Sequence, residues 1–138
     1  MTAIQARDLQ VVERFAVSLD REDYGTARSL LGDGCVYLLR GARIEGAGAV
    51  VASYRGNGDE ASRRFDSIAY GSGVRAADDG RAVISFWDEI THRGRVHRHA
   101  CEQWVRVEDG VIVEIEHRDL EGEVEGLEAF KGWCFGEG

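Results

Sequence analysis

The segment RAVISFWDEITHRGRVHRHACEQWVRVEDGVIVEIEHRD, residues 81–119, decides the fold. Apolar and polar residues alternate with period two over 81–92, 95–107 and 111–119, the pattern of half-buried strands. Arg93-Gly94 and Glu108-Asp109-Gly110 separate these runs, and links this short join antiparallel neighbours. A fourth run of the same kind, 64–75, precedes them across the turn Asp78-Asp79-Gly80.

The loops set an expected register. If His92 pairs with Arg95, then 90 faces 97, 88 faces 99, 86 faces 101 and 84 faces 103. A three-residue loop at 108–110, with Gly110 left-handed in a bulge, places 107 opposite 111, 103 opposite 115, 101 opposite 117 and 99 opposite 119. A two-residue loop at 109–110 would scramble the separation of faces and is rejected on that ground. One face then carries Ile84, Phe86, Asp88, Ile90, His99, Cys101, Gln103, Val105, Val113, Ile115, His117 and Asp119. It is apolar at one end and polar at the other, as a ligand pocket requires. The opposite face is charged, with Trp87 and Trp104 among the charges.

Outward from the strands, residues 4–19 read as a helix with Leu9, Val12, Phe15, Ala16 and Leu19 on one face, and 23–31 as a second, shorter one. Gly32-Asp33-Gly34 reads as a stop. Cys35 to Leu39 and Arg43 to Glu45 form a hairpin around Gly41, and a helix over 47–55 ends at Gly56-Asn57-Gly58. An acidic helix over 121–131 closes the chain, with Trp133 and Phe135 in a tail. Helices first and a long meander after them predict an α+β domain spanning 1–138, in which a strongly curved antiparallel sheet wraps around the N-terminal helices.

The net charge of −8 disfavours nucleic acid and anionic membrane surfaces as partners. No apolar run is long enough to span a bilayer, and the N-terminus lacks the layout of a signal peptide, so a cytoplasmic location is expected. Cys35, Cys101 and Cys134 form no CxxC and no zinc spacing, which points to free thiols.

The stretch LDREDYGTARSLLGDGCVYLL (19–39) and the closing VRVEDGVIVEIEHRD (105–119) resemble SnoaL-like proteins of the nuclear transport factor 2-like superfamily. Asp20, Asp23, Asp33, Asp109-Gly110-Val111-Ile112 and Asp119 carry the resemblance, which covers nearly the whole chain. It implies a cone-shaped sheet around a pocket, usually dimeric. The superfamily includes isomerases, cyclases, dehydratases, epoxide hydrolases and non-enzymes, so fold alone does not assign function. Ketosteroid isomerases of this superfamily carry a tyrosine, a base aspartate and an acid where this chain has Phe15, Leu38 and Gln103, which excludes that machinery. The Asp-Arg-Asp row of limonene-epoxide-hydrolase-like proteins is half matched, with His99 between Asp88 and Asp119.

The expected register lines up Asp88, His99 and Asp119 as a catalytic row. Asp119, where SnoaL-like cyclases are similar in carrying an acid, is the expected base; His99 shares the proton transfer and Asp88 orients it. The alternative is a structural ion triad. Gln103 would polarise a ligand oxygen or satisfy a buried backbone group. Cys101 and His117 are either a thiolate–imidazolium pair or packing. Phe86 and Ile115 would form the apolar wall, with Tyr54 and Phe15 reaching it from the helices. Arg40 and Arg43 either meet an acidic ligand group or solvate a turn. His97 and His99 form an H-x-H without an assured third ligand, so no metal is expected. The function expected is a cofactor-free isomerase, cyclase or dehydratase acting on a small apolar or carbonyl-bearing, polyketide-like ligand. The competing expectation is a non-catalytic binding or dimerisation module. A homodimer through Trp87 and Trp104 is expected in either case.

Overall fold

The computed structural model describes residues 3–136. The elements run α1 (Ala6–Asp20), α2 (Tyr24–Ser29), β1 (Leu31–Leu39), β2 (Ala42–Glu45), α3 (Ala47–Arg64), β3 (Ser67–Ala76), β4 (Ala82–His92), β5 (Arg95–Glu108), β6 (Val111–Asp119) and α4 (Glu123–Phe135). The strands form one curved, unclosed sheet in the order β2-β1-β6-β5-β4-β3. The expected antiparallel meander β3-β4-β5-β6 is present. The sheet as a whole is mixed, because β1 lies parallel to β6. Among the described residues, no helix is long and apolar enough to cross a membrane.

The apolar stripe of α1 buries Val12, Phe15 and Ala16 against the concave face. There they meet Ile84, Val105, Ile112 and Ile115, all fully buried, and Val50 of α3. Burying side chains of this size stabilises by about 1.5–3 kcal/mol each, which fixes α1 and α3 inside the curve of the sheet.

The β4–β5 hairpin has the register the sequence predicts, from His92↔Arg95 through Asp88↔His99 to Ile84↔Gln103. Arg93 and Gly94 both have positive φ, as a two-residue primed turn needs. The β5–β6 hairpin differs. Glu108 pairs with Val111, so the loop is only Asp109-Gly110, again with positive φ at both positions. Arg106 pairs with Glu114 and Val107 with Ile112, leaving Val113 as the extra residue of a bulge. The bulge undoes the scrambling that a tight turn would cause. Ile112, not Val113, takes the fully buried position. Beyond the bulge the register is shifted by two residues from the expected one. An even shift keeps every side chain on its face and changes its partner, so Asp119 lies opposite Cys101 and His117 opposite Gln103.

Other boundaries also moved. Helix α3 does not end at Gly56-Asn57-Gly58 but continues to Arg64, because Ala61 and the adjoining Phe65 pack in a second apolar cluster with Ile90, Phe130 and Cys134. Gly32-Asp33-Gly34 does not stop the chain; it lies within β1, where pairing to β6 is irregular. The tail residues Trp133 and Phe135 belong to α4. That helix sits over β5, with the Phe130 ring stacked on His97 at 5.1 Å.

On the convex face the two tryptophans lie under cations. The Arg98 guanidinium is 4.5 Å from the Trp87 ring centre, and Trp104 lies between Arg81 (4.9 Å) and Arg118 (3.9 Å). Trp87 also lies across Gly71 so closely that a Cβ there would be 1.9 Å from the indole.

Candidate functional site

The sheet, α1, α3 and α4 enclose a cavity of about 360 Å³. Its floor is set by Gln103, one of the few polar side chains buried in the core. Gln103 Nε2 donates to the Tyr37 hydroxyl at 2.9 Å, and its Oε1 accepts from the Tyr54 hydroxyl at 2.5 Å. The Tyr37 and Tyr54 rings are stacked, their centres 5.1 Å apart. Burial drives the Tyr37 hydroxyl up to about 12 and Tyr54 well above its ordinary value, so both are neutral donors at any physiological pH.

Gln103 Nε2 also faces His117 Nδ1 at 3.3 Å. An amide nitrogen only donates, so Nδ1 accepts and the ring proton sits on Nε2, aimed at Asp119 Oδ1 2.8 Å away. Asp119 is gripped from its other side by Arg40, whose Nε and second guanidinium nitrogen each donate at 2.7 Å. This bidentate clasp holds the Asp119 carboxyl far below the ordinary carboxylate range, with the His117 hydrogen bond adding to the effect. Arg40 has positive φ in the β1–β2 turn, where asparagine or glycine is the usual residue; the turn aims its side chain at β6.

A second polar group lies two cross-strand rows away from Gln103. Tyr70, Asp88 and His99 form a row across β3, β4 and β5. Burial and the charges of His99 and Asp20, with no hydrogen bond among the described residues, act on the Asp88 carboxyl, and the buried His99 Nδ1 has no partner. Burial raises the Asp88 carboxyl to about 6; nearby His99 opposes this and Asp20 adds to it. Phe86 and Cys101 occupy the row between Asp88 and the floor. The Cys101 thiol is pushed up to about 12 by burial and by the Asp88 and Asp119 charges, so it is not a thiolate.

The sequence-based site is therefore corrected in two respects. The row Asp88–His99–Asp119 does not exist, because the bulge at Val113 moves Asp119 opposite Cys101. Ile115 and Phe15 lie in the core beneath the cavity, both fully buried, and do not line it. Gln103, Cys101, His117, Phe86, Tyr54, Asp88 and His99 do line it. Sequence reading missed Asp20 as a cavity group, left Arg40 undecided, and weighed Tyr37 and Tyr70 between the pocket mouth and packing; both line the cavity. The two-residue primed turn at Arg40-Gly41 was the signal that could have placed Arg40 beside the end of β6. The described residues contain no group of side chains arranged to hold a metal ion.

No protein-family model matches the sequence, and no curated protein matches it. Solved structures do. An LEH-like epoxide hydrolase of M. tuberculosis superposes with a TM-score of 0.63 at 20% identity, covering 92% of this chain and 94% of that one. A polyketide cyclase-like protein of Xanthomonas campestris pv. campestris gives 0.65 at 16% identity, covering 93% and 94%. A nuclear transport factor 2-like protein of unknown function from Burkholderia pseudomallei gives 0.65 at 16% identity, covering 87% and 95%. At these identities the likeness is one of architecture: the chain has the nuclear transport factor 2-like fold.

Proposed function

We propose that the protein takes a small, largely apolar carbonyl compound of polyketide-like character into this cavity. There it catalyses a proton transfer without a cofactor, an isomerisation, cyclisation or dehydration, with Asp88 as the base. The observation that carries this reading is an aspartate on the cavity wall that no described side chain hydrogen-bonds. A general base works best when its pKa is near the operating pH, which favours Asp88 over the Asp119 of the sequence-based expectation. Asp119, clasped by Arg40, is too weak a base and serves instead to hold His117 and, through it, Gln103. His99 lies beside Asp88 to steady its charge.

The Tyr37 hydroxyl, positioned by Gln103, which has given both Nε2 hydrogens to Tyr37 and His117, takes a distant ligand oxygen rather than the one next to the reacting carbon. The Gln103 row lies four residues along the strands from Asp88, about 13 Å at the backbone. An elongated ring system spans that length, with Phe86 and Cys101 along its flank. The polyketide cyclase-like and epoxide hydrolase-like neighbours support a small-molecule role.

The test is deuterium incorporation into cyclic ketones and β-diketones in D₂O, followed by NMR. We expect exchange with the wild type and loss of about 10²-fold or more in Asp88→Asn. Exchange at equal rates in both proteins would refute the assignment. A binding-only module is the second reading. It is favoured by the Gln103 network, whose members satisfy one another without a ligand, and it predicts saturable binding with no exchange. The proposal includes a homodimer formed through the convex face. Trp87→Glu should then halve the mass measured by light scattering, and a monomeric wild type would contradict it.

A further inference from the structure

Two helices carry the cavity past the Asp88 row. Helix α4 follows β5 away from the Gln103 floor: the Ala100 N–H donates to Glu123 Oε1 at 3.2 Å, Phe130 stacks on His97, and the Trp133 ring centre is 4.6 Å from the Arg95 guanidinium. Helix α3 runs the same way, from Tyr54 at Gln103 to the adjoining Phe65, whose ring is 5.9 Å from His92. Phe65 packs on Phe130 at 6.0 Å and on Phe135 at 5.4 Å, which joins the two helices at this end. The cavity wall there is apolar, from Phe65, Ile68, Ile90 and Leu127, and it also carries two cations, Arg64 of α3 and Lys131 of α4. Lys131 is four residues beyond Leu127 and four before Phe135, so the three share one helix face. The Arg64 guanidinium lies 4.3 Å from the Phe135 ring centre, which brings it to that face.

We propose that Lys131, with Arg64 beside it, takes a carboxylate of the ligand, so that the preferred substrates are keto acids with an apolar stretch between ketone and carboxylate. This names the substrate class of the same cavity and rests on the proton-transfer reading for the ketone alone.

Charge, pairing and spacing support the subsite. The chain has 25 acidic residues against 17 basic ones, so two cations on one cavity wall run against its average charge. Like charges brought together beside apolar surface repel, and an anion between them turns the repulsion into attraction. Lys131 Nζ is 3.7 Å from a Glu128 carboxyl, but the Lys131 side chain is 27% exposed and that of Glu128 65%, and an ion pair so open to water contributes little. The ammonium keeps donors for a ligand. Glu60, one turn before Arg64, is exposed and also lines the cavity; it offsets at most one of the two cations. The carboxylate then lies between one and two strand rows from a carbonyl held at Asp88, about 7–13 Å. A saturated chain of about six bonds covers the lower end of that span at ~1.2 Å per bond.

The experiment compares ω-benzoylhexanoic acid, which has this spacing, with its methyl ester. Lys131 is the single lysine of the chain, so reductive methylation with ¹³C-formaldehyde gives one lysine signal beside that of the α-amino group and leaves the charge in place. We expect the acid to move the Lys131 signal saturably in NMR, and to bind the unlabelled protein about tenfold more tightly than the ester at low salt by calorimetry. Lys131→Met should bind acid and ester equally, and Lys131→Arg should restore the preference for the acid. Asp88→Asn should keep that preference, since the subsite does not depend on the base. Equal binding of acid and ester by the wild type, no binding of the acid, or a preference undiminished in Lys131→Met would overturn the proposal. Preferential binding of the acid without deuterium exchange would uphold the subsite and remove Asp88 as the base.

Discussion

Replacing Asp88 with asparagine should make the protein more stable at neutral pH while abolishing its proposed activity. An unburied aspartate titrates near 3.8, and Asp88 in the fold titrates at about 6. The native state thus holds this proton more tightly than the unfolded chain does, and raising the pH through that interval costs stability. The interval corresponds to roughly 3 kcal/mol at 1.36 kcal/mol per pH unit, an upper figure, since asparagine must still bury its amide. We expect Asp88→Asn to match the wild type below about pH 4 and to gain between about pH 4 and 6. Above about pH 6 it should remain some 1.5–3 kcal/mol more stable. Urea unfolding of both proteins from acid to neutral pH, analysed as a two-state transition, measures the difference directly. A gap that does not vary with pH, or an Asp88→Asn protein less stable at pH 7, would refute the claim that burial holds an uncompensated carboxyl at this position.

Arg40→Gln should cost about 1 kcal/mol at pH 7, since the pair is bidentate but partly exposed. The Asp119 carboxyl lies below its unfolded value, so this contribution is present above the ordinary carboxylate range and is lost as pH falls, and thermal melts of both proteins should converge in acid. Gly71→Ala should destabilise by about 1–3 kcal/mol, because its Cβ would overlap a Trp87 ring held down by Arg98, and the tryptophan emission should shift as the ring is displaced. Cys101 should resist thiol reagents at pH 7 in the folded protein and react only on unfolding; rapid labelling would contradict its raised thiol pKa.

The β4–β5 register was legible because Arg93-Gly94 admits one pairing. The β5–β6 register was not, because a bulge at Val113 leaves no trace in composition: Ile112 and Val113 are both apolar, and either can turn inward. That one residue decides whether Asp119 joins Asp88 and His99 or pairs with Arg40. Gly56-Asn57-Gly58 misled in a different way. Two glycines weaken a helix locally, but packing of Ala61 and Phe65 overrides them, and Gly58 lies where any Cβ would crowd the Tyr24 hydroxyl at 3.2 Å. Asp20 was readable as a helix end and not as a cavity group, because its place depends on how α1 docks onto β3.

The most direct test of the central claim is the pH dependence of deuterium exchange, as kcat/KM, for the wild type and the Asp119→Asn and Asp88→Asn variants. The account predicts a rate that rises through a midpoint near 6 and levels off above it, unchanged in midpoint in Asp119→Asn and absent in Asp88→Asn. A midpoint that disappears with Asp119 and survives the loss of Asp88 would contradict it.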